Sequence, residues 1–173
     1  MAANQLLGDY ETHVAQINDI LEQAGIDRRE LSECDHLCWR TETMDQYESA
    51  LARFAILGVN IGEVEVEHRP IAAIELKEPL VTGGWRIPFL EIAAPKDGSP
   101  YAEGLEHAEF VVSGLLKSFW DRHRSLNFKD DAATRSVNPE LKLKQFPITI
   151  KFHQLSLGSA ITIENALAAE RGE

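Results

Sequence analysis

The eight residues from Glu33 to Arg40, ECDHLCWR, set two thiols, an imidazole and a guanidinium on one short segment. Such groups serve a zinc clasp, a thiol–disulfide pair or one wall of a binding cavity. Cys34 and Cys38 are the only cysteines, spaced C-x3-C. Thioredoxin-type redox motifs use C-x2-C, and structural zinc sites need a second cysteine pair or a histidine pair at a set distance. The sequence has neither. Read as a strand, HLCWRT puts residues 34, 36, 38 and 40 on one face, with neighbours ~6–7 Å apart. Two short thiols cannot share an ion across that spacing with a histidine between them. The cysteines are therefore expected to pack, as free cysteine usually does. His36 and Arg40 remain as cavity groups.

Other segments carry the same types of residue in alternation. In EHAEFVV, Ala108, Phe110 and Val112 share one face while His107 and Glu109 share the other. In ITIKFH, Ile148, Ile150 and Phe152 oppose Thr149, Lys151 and His153. In IPFLEIA, Leu90 and Ile92 oppose Ile87, Phe89 and Glu91. A sheet with its apolar face under helices would thus gather His36, Glu91, His107, Glu109, Lys151 and His153 on its other face. A half-solvated sheet accounts for a run such as EVEVE. Three of the six histidines on separate strands fit equally a metal or acid–base site. Residue types alone leave both readings open.

The elements that would position these groups follow from periodicity and punctuation. Tyr10, Val14, Ile17 and Leu21 recur at helical spacing before Gly25. After the HLCWRT strand, Thr43-Met-Asp-Gln46 has the form of a capping box, and Tyr47, Leu51 and Phe54 continue a helix to Gly58. GEVEVEH, IAAIEL and WRIPFLEIA then read as strands, and residues 94–105 as a loop rich in Pro, Gly and Asp. EHAEFVV restarts the series. Ser113 is placed to cap a helix with Leu116, Phe119, Trp120 and His123. FKDDAATRS, ELKLKQF and ITIKFHQL follow as strands, and SAITIENALAAERG as a last helix. His13, His68 and His123 fall on element surfaces and receive no role.

Composition sets the outer bounds. A chain of 173 residues with 44% hydrophobic and 26% charged residues is an ordinary globule able to bury its own core. A net charge of −11 argues against a broad nucleic-acid surface and against anionic membranes. No apolar run approaches the ~20 residues of a membrane span. The start, MAANQLLGDYE, lacks the basic and apolar regions of a signal peptide. A cytoplasmic protein with reduced thiols is expected.

The segments CDHLCWRT, HRPIAAIELKEPL, LEIAAPKDGSPYAEGLEHAEFVV and NPELKLKQFPITIKFHQLS together resemble the YecM family of bacterial proteins. That family belongs to the vicinal oxygen chelate superfamily, with glyoxalase I and the extradiol dioxygenases. The resemblance covers residues 34–156. It implies an α+β fold in which two βαβββ modules form a curved, mostly antiparallel eight-stranded sheet around a cleft. The modules would span 34–93 and 106–156, joined by the 94–105 linker, with helical segments 1–33 and 157–173 outside them.

The resemblance also implies one divalent ion (Zn, Ni, Mn or Fe) held by the first and last strands of each module. These strands offer His36, Glu91, His107 and His153. Glyoxalase-type sites have a carboxylate in the fourth place, so Glu109 is a further candidate, as ligand or base. Lys151, beside His153, and Arg40 would act on the substrate. The implied function is a metal-dependent isomerase, lyase or dioxygenase acting on a small oxygen-bearing metabolite, as monomer or homodimer. The alternative is a small-molecule binding protein on the same fold, without catalysis, or a remnant whose cleft holds only water.

Overall fold

The computed structural model describes residues 3–129 and 137–171. Five helices, α1 (Ala3–Leu7), α2 (Tyr10–Gln23), α3 (Met44–Phe54), α4 (Leu116–Arg122) and α5 (Leu157–Arg171), accompany seven strands. The strands are β1 (Leu31–Arg40), β2 (Gly58–Val66), β3 (Arg69–Thr82), β4 (Trp85–Ala93), β5 (Gly104–Val112), β6 (Glu140–Gln145) and β7 (Ile148–His153). They form one open, curved sheet in the order β2-β3-β4-β1-β5-β7-β6. It is mixed: β1 runs parallel to β4 and β5 parallel to β7, while the other pairings are antiparallel. The expected strand at 128–136 falls mostly on residues outside the described ones. Lys129, at its start, bridges Lys142 of β6 in antiparallel fashion. Among the described residues, no helix is long and apolar enough to cross a membrane.

Alternation divides the sheet into two faces. Leu37 of β1, Leu90 and Ile92 of β4, Ala108 and Phe110 of β5, and Ile150 and Phe152 of β7 are all buried in the main core. The helices supply its other half: Tyr10, Val14, Ile17 and Leu21 from α2, Tyr47, Ala50 and Phe54 from α3, and Leu116 and Phe119 from α4. The 3.6-residue spacing of these side chains makes one apolar stripe per helix. Asp9 caps α2, and Thr43 with Gln46 forms the expected capping box on α3. Ser113 does not cap α4: the N-cap is Leu115 without a side-chain bond. The Ser113 amide instead donates to the Glu30 carbonyl at 2.7 Å, and Gly114 turns the chain with φ of 107°.

Two expectations on strand faces are corrected, and two histidines expected on element surfaces fall at element ends. Cys34 does not share a face with His36; it joins the main core, while Cys38 sits in a small cluster with Ile71 and Ala93. A register shift between Cys34 and His36 inserts Asp35 as an extra residue and reverses the alternation. Ile87 likewise belongs to the main core, where a register shift between Glu75 and Leu80 interrupts the β3–β4 ladder. Finally, His68 lies in the β2–β3 turn with positive φ, fully exposed, and His123 folds onto Glu30 at 2.9 Å. Both cysteines are free and buried, as expected of packing residues.

Candidate metal centre

The polar face of the sheet floors a cavity of about 530 Å³, and Leu157, Ala160 and Ile161 of α5 lie over it. The fit of α5 is close: a side chain at Gly158 would meet the Phe89 ring at 2.9 Å. Its first amide, Leu157 N, donates to Asp35 Oδ2 at 2.8 Å. A carboxylate at the N-terminus of this 15-residue helix also meets the positive end of its dipole.

Two bulges prepare the histidines. On β1 the extra residue Asp35 precedes His36, and on β5 a second shift, between Cys38 and Trp39, leaves Glu106 as the extra residue before His107. Each bulge turns a carboxylate to the same side as the following imidazole. His36 Nδ1 meets Asp35 Oδ2 at 2.9 Å, and His107 Nδ1 meets Glu106 Oε2 at 2.5 Å. A proton on each Nδ1 donates to the acid, so that in the neutral ring Nε2 carries the lone pair a metal would take.

Those Nε2 atoms point at two more carboxylates. Glu109 Oε1 is 3.2 Å from His107 Nε2 and 3.4 Å from His36 Nε2. Glu91 Oε2 is 3.6 Å from His107 Nε2 and 4.0 Å from His36 Nε2. His36, Glu91, His107 and Glu109 thus each offer a donor atom, all within 4.8 Å of one another. Lys151 Nζ lies 2.5 Å from Glu109 Oε1 and 3.9 Å from Glu140 Oε2. His153 is drawn to the edge of this cluster. Its Nδ1 contacts the Leu155 carbonyl, and its Nε2 is 3.5 Å from Glu109 Oε2 and 3.7 Å from Asp35 Oδ2. It forms a second donor group with Asp35 and His36.

The charges are strongly interdependent. Burial disfavours an imidazolium at His36, but the Glu109 and Asp35 carboxylates outweigh it and raise the ring to about 10. Burial opposes protonation of His107 too, and is overcome by the Cys38 sulfur and the Glu106 carboxylate, which hold that ring well above the ordinary range. Burial would raise Glu91 and Glu106, yet contact with the protonated His107 brings each down to about 2. Glu109 is held well below the usual carboxylate range, burial being overcome by Lys151 and His36. Burial pushes the Cys38 thiol up to about 11, which suits packing rather than nucleophilic chemistry.

These residues fit a divalent ion. Donor atoms around a tetrahedral ion with bonds of ~2.1 Å stand about 3.4 Å apart, close to the separations above. His36 Nε2 is buried and makes no hydrogen bond, a costly state for an imidazole unless something completes it. A mixed imidazole–carboxylate set suits Zn, Mn, Fe or Ni. Of the residues expected from sequence, His36, Glu91, His107 and Glu109 meet at one point and Lys151 holds Glu109. His153 stands beside them, and Arg40 lines the cavity farther along β1. Sequence reasoning missed Asp35 and Glu106. Their signal was the acidic residue immediately before each histidine, in DH and EH.

A family model described as YecM protein matches residues 2–164. Protein YecM of Escherichia coli (strain K12) is 23% identical over 177 residues, covering 93% of this chain and 93% of its own. Among solved structures, the structural genomics protein EC4020 superposes with a TM-score of 0.78 at 23% identity, over 92% of both chains. Streptomyces coelicolor methylmalonyl-CoA epimerase, in complex with 2-nitronate-propionyl-CoA, gives a TM-score of 0.53 at 15% identity, over 72% of this chain and 97% of its own. With a family match over nearly its whole length, the chain belongs to the YecM family, on the vicinal oxygen chelate fold.

Proposed function

We propose that this protein is a divalent-metal-dependent enzyme acting on a small oxygen-bearing molecule, with His36, His107 and Glu91 as the metal ligands. The observation that carries this reading is the pair of buried histidines with Nδ1 committed to a carboxylate and Nε2 turned to a shared point. A divalent ion held there would polarise a substrate oxygen and stabilise negative charge formed beside it. Asp35 and Glu106 fix the ring orientations, and α5 covers part of the cavity. Glu109 is the group that takes a proton from the substrate. Lys151 anchors its Oε1, while Oε2 faces the unbonded Nε2 of His153, 3.5 Å away. His153 is assigned to this proton path rather than to the ligand set.

The same reading takes the sheet as two βαβββ modules, 34–93 and 106–156, with the eighth strand over 128–136. Pairing supports it. His36 lies opposite Glu109 and Cys38 opposite His107, on either side of the Leu37–Ala108 pair. Each histidine follows a bulge, and each first strand is flanked in parallel by a last strand.

The alternative, a small-molecule binding protein without catalysis, draws on Lys151, whose ammonium already compensates Glu109. Metal content separates the two. Protein purified without chelator or nickel column should carry near one ion per chain by mass spectrometry, lost in His36→Ala and His107→Ala. Turnover would then be sought with α-keto, hydroxy and catechol compounds. No metal in the wild type after reconstitution with Zn, Mn, Ni and Fe(II) would leave the binding protein.

A further inference from the structure

Among the described residues, four arginines of this acid-rich chain are paired with a carboxylate. Arg29 pairs with Asp27, Arg53 with Glu103, Arg122 with Glu30 and Arg124 with Asp121. Two that line the cavity do not. Arg40 is 7% exposed, donates from Nη2 to the Ser99 carbonyl at 2.7 Å and stacks over the Tyr101 ring. Arg69 donates from Nη1 to the Ala94 carbonyl at 2.7 Å. In both the Nε–H is buried without a partner, and among the described residues neither guanidinium is in an ion pair. Glu106, the carboxylate that senses Arg40, is already committed to His107 Nδ1.

The two side chains converge on one place. Arg40 pairs with Ala93 across β1–β4, Ala93 pairs with Ile71 two residues from Arg69, and Arg69 bonds the carbonyl of the next residue, Ala94. Cys38, Ile71 and Ala93 form an apolar floor between them. Ala93 lies two residues beyond Glu91 on β4, so this place is ~7 Å along the strand from the metal donors. Arg69 is half-buried, and the carboxylate within its electrostatic reach, Glu67, is bound to Lys96. A guanidinium withdrawn from water without a direct ion pair is costly, and guanidinium forks match the planar oxygens of carboxylate and phosphate.

We infer that Arg40 and Arg69 form an oxyanion subsite that receives the carboxylate or phosphate of a small substrate whose other end reaches the metal centre. This deepens the proposed function and rests on it for the second half of the substrate. The subsite itself needs no metal.

The test is calorimetric titration of the full chain, zinc-loaded and metal-free, with succinate, inorganic phosphate and succinamide. Metal content and melting temperature are followed in Arg69→Met, Arg40→Lys and the surface control Lys117→Met. The wild type and Lys117→Met should bind succinate or phosphate, and which of them binds more tightly identifies the anion. Arg69→Met should weaken that binding at least tenfold with metal content and melting temperature unchanged, and Arg40→Lys should weaken it severalfold. Anion binding that persists in a chain that takes up no metal upholds the subsite and fails only the metalloenzyme reading. Binding equal in Arg69→Met and wild type, succinamide binding as well as succinate, or binding of no anion overturns the subsite.

Discussion

Replacing Asp35 by Asn isolates what the first bulge contributes. The change keeps the size of the side chain and removes its charge. Asp35 Oδ2 accepts from His36 Nδ1 at 2.9 Å and from the Leu157 amide at 2.8 Å, while Oδ1 is buried without a partner. For the metal-free fold the consequences oppose one another. An amide relieves a buried charge, yet it gives up the ion pair with His36, which keeps Glu109 as its larger counter-charge, and a charge–dipole contact with α5 worth about 0.3–1 kcal/mol. The melting temperature should therefore move by no more than about 4 °C, roughly 1 kcal/mol for a chain of this length. For the metal the loss of orientation and donor strength outweighs the smaller proton penalty of a less basic His36. The carboxylate fixes the Nδ1–H tautomer and makes Nε2 a stronger donor, and outer partners of this kind are worth about 10–100-fold in affinity, or about 1.4–2.7 kcal/mol. Zinc titration by calorimetry reads the affinity, and nitrogen-15 spectra of His36 read the tautomer. Zinc affinity within twofold of wild type, in a variant whose melting temperature is preserved, would refute the idea that the bulge orients the ligand.

Two further outcomes follow from the charges. Because His36 is raised to about 10, metal entry must expel its proton, at a cost on the order of 4 kcal/mol at pH 7. The sign follows: protons compete with the metal below that value, so zinc affinity rises with pH between 6 and 8. Titration in buffers of different ionisation enthalpy should show proton release, and flat affinity without release would refute it. Lys151→Met removes the shortest ion pair of the buried Glu109 carboxylate and leaves it only the neighbouring imidazoles, so the metal-free chain should lose up to about 3 kcal/mol in urea denaturation. With the competing ammonium gone, zinc should bind more tightly than to wild type and recover the lost stability. An unchanged metal-free stability would show that the Lys151–Glu109 pair contributes nothing.

Alternation made most of the sheet legible because its faces differ so sharply. Phe110 and Phe152 lie under helices, while Glu109 and Lys151, one residue away in sequence, face the cavity. WRIPFLEIA carried its strand from end to end, since β4 spans Trp85–Ala93. The bulges were not legible: one extra residue reverses every side chain before it, and a pattern of period two does not reveal where that residue sits. Cys34 was misplaced for this reason, and Asp35 and Glu106 were passed over. The place of α5 was hidden differently. Its sequence reads as a helix, but what covers the cavity depends on Gly158 letting it approach Phe89 and on Asp35 receiving its first amide.

The asymmetry at the centre has a simple origin in the ladder. In the parallel pair β1–β4, Cys38 stands opposite Glu91; in the parallel pair β5–β7, Glu109 stands opposite Lys151. The antiparallel β1–β5 ladder relates Cys38 to Glu109 across the Leu37–Ala108 pair, as it relates His36 to His107. Beside the bulge residues Asp35 and Glu106, each half of the sheet therefore brings one carboxylate to the shared donor cluster, from the last strand in the first half and from the first strand in the second. The place matching Glu91 in the second half is Lys151, and His153 lies two residues beyond it. A fourth ligand on β7 would have to displace this lysine, whose ammonium is bound to Glu109 at 2.5 Å. The carboxylate moved to β5 keeps the anionic charge at the centre, and Lys151 beside it gives the second half a cation at the place where the first half has Glu91. The two carboxylates are thus in different surroundings: among the described residues, the ion-pair contacts of Glu91 are to His36 and His107, while Glu109 is also anchored by Lys151 on one oxygen and faces His153 on the other. The proposed division between metal binding at Glu91 and proton transfer at Glu109 rests on this difference.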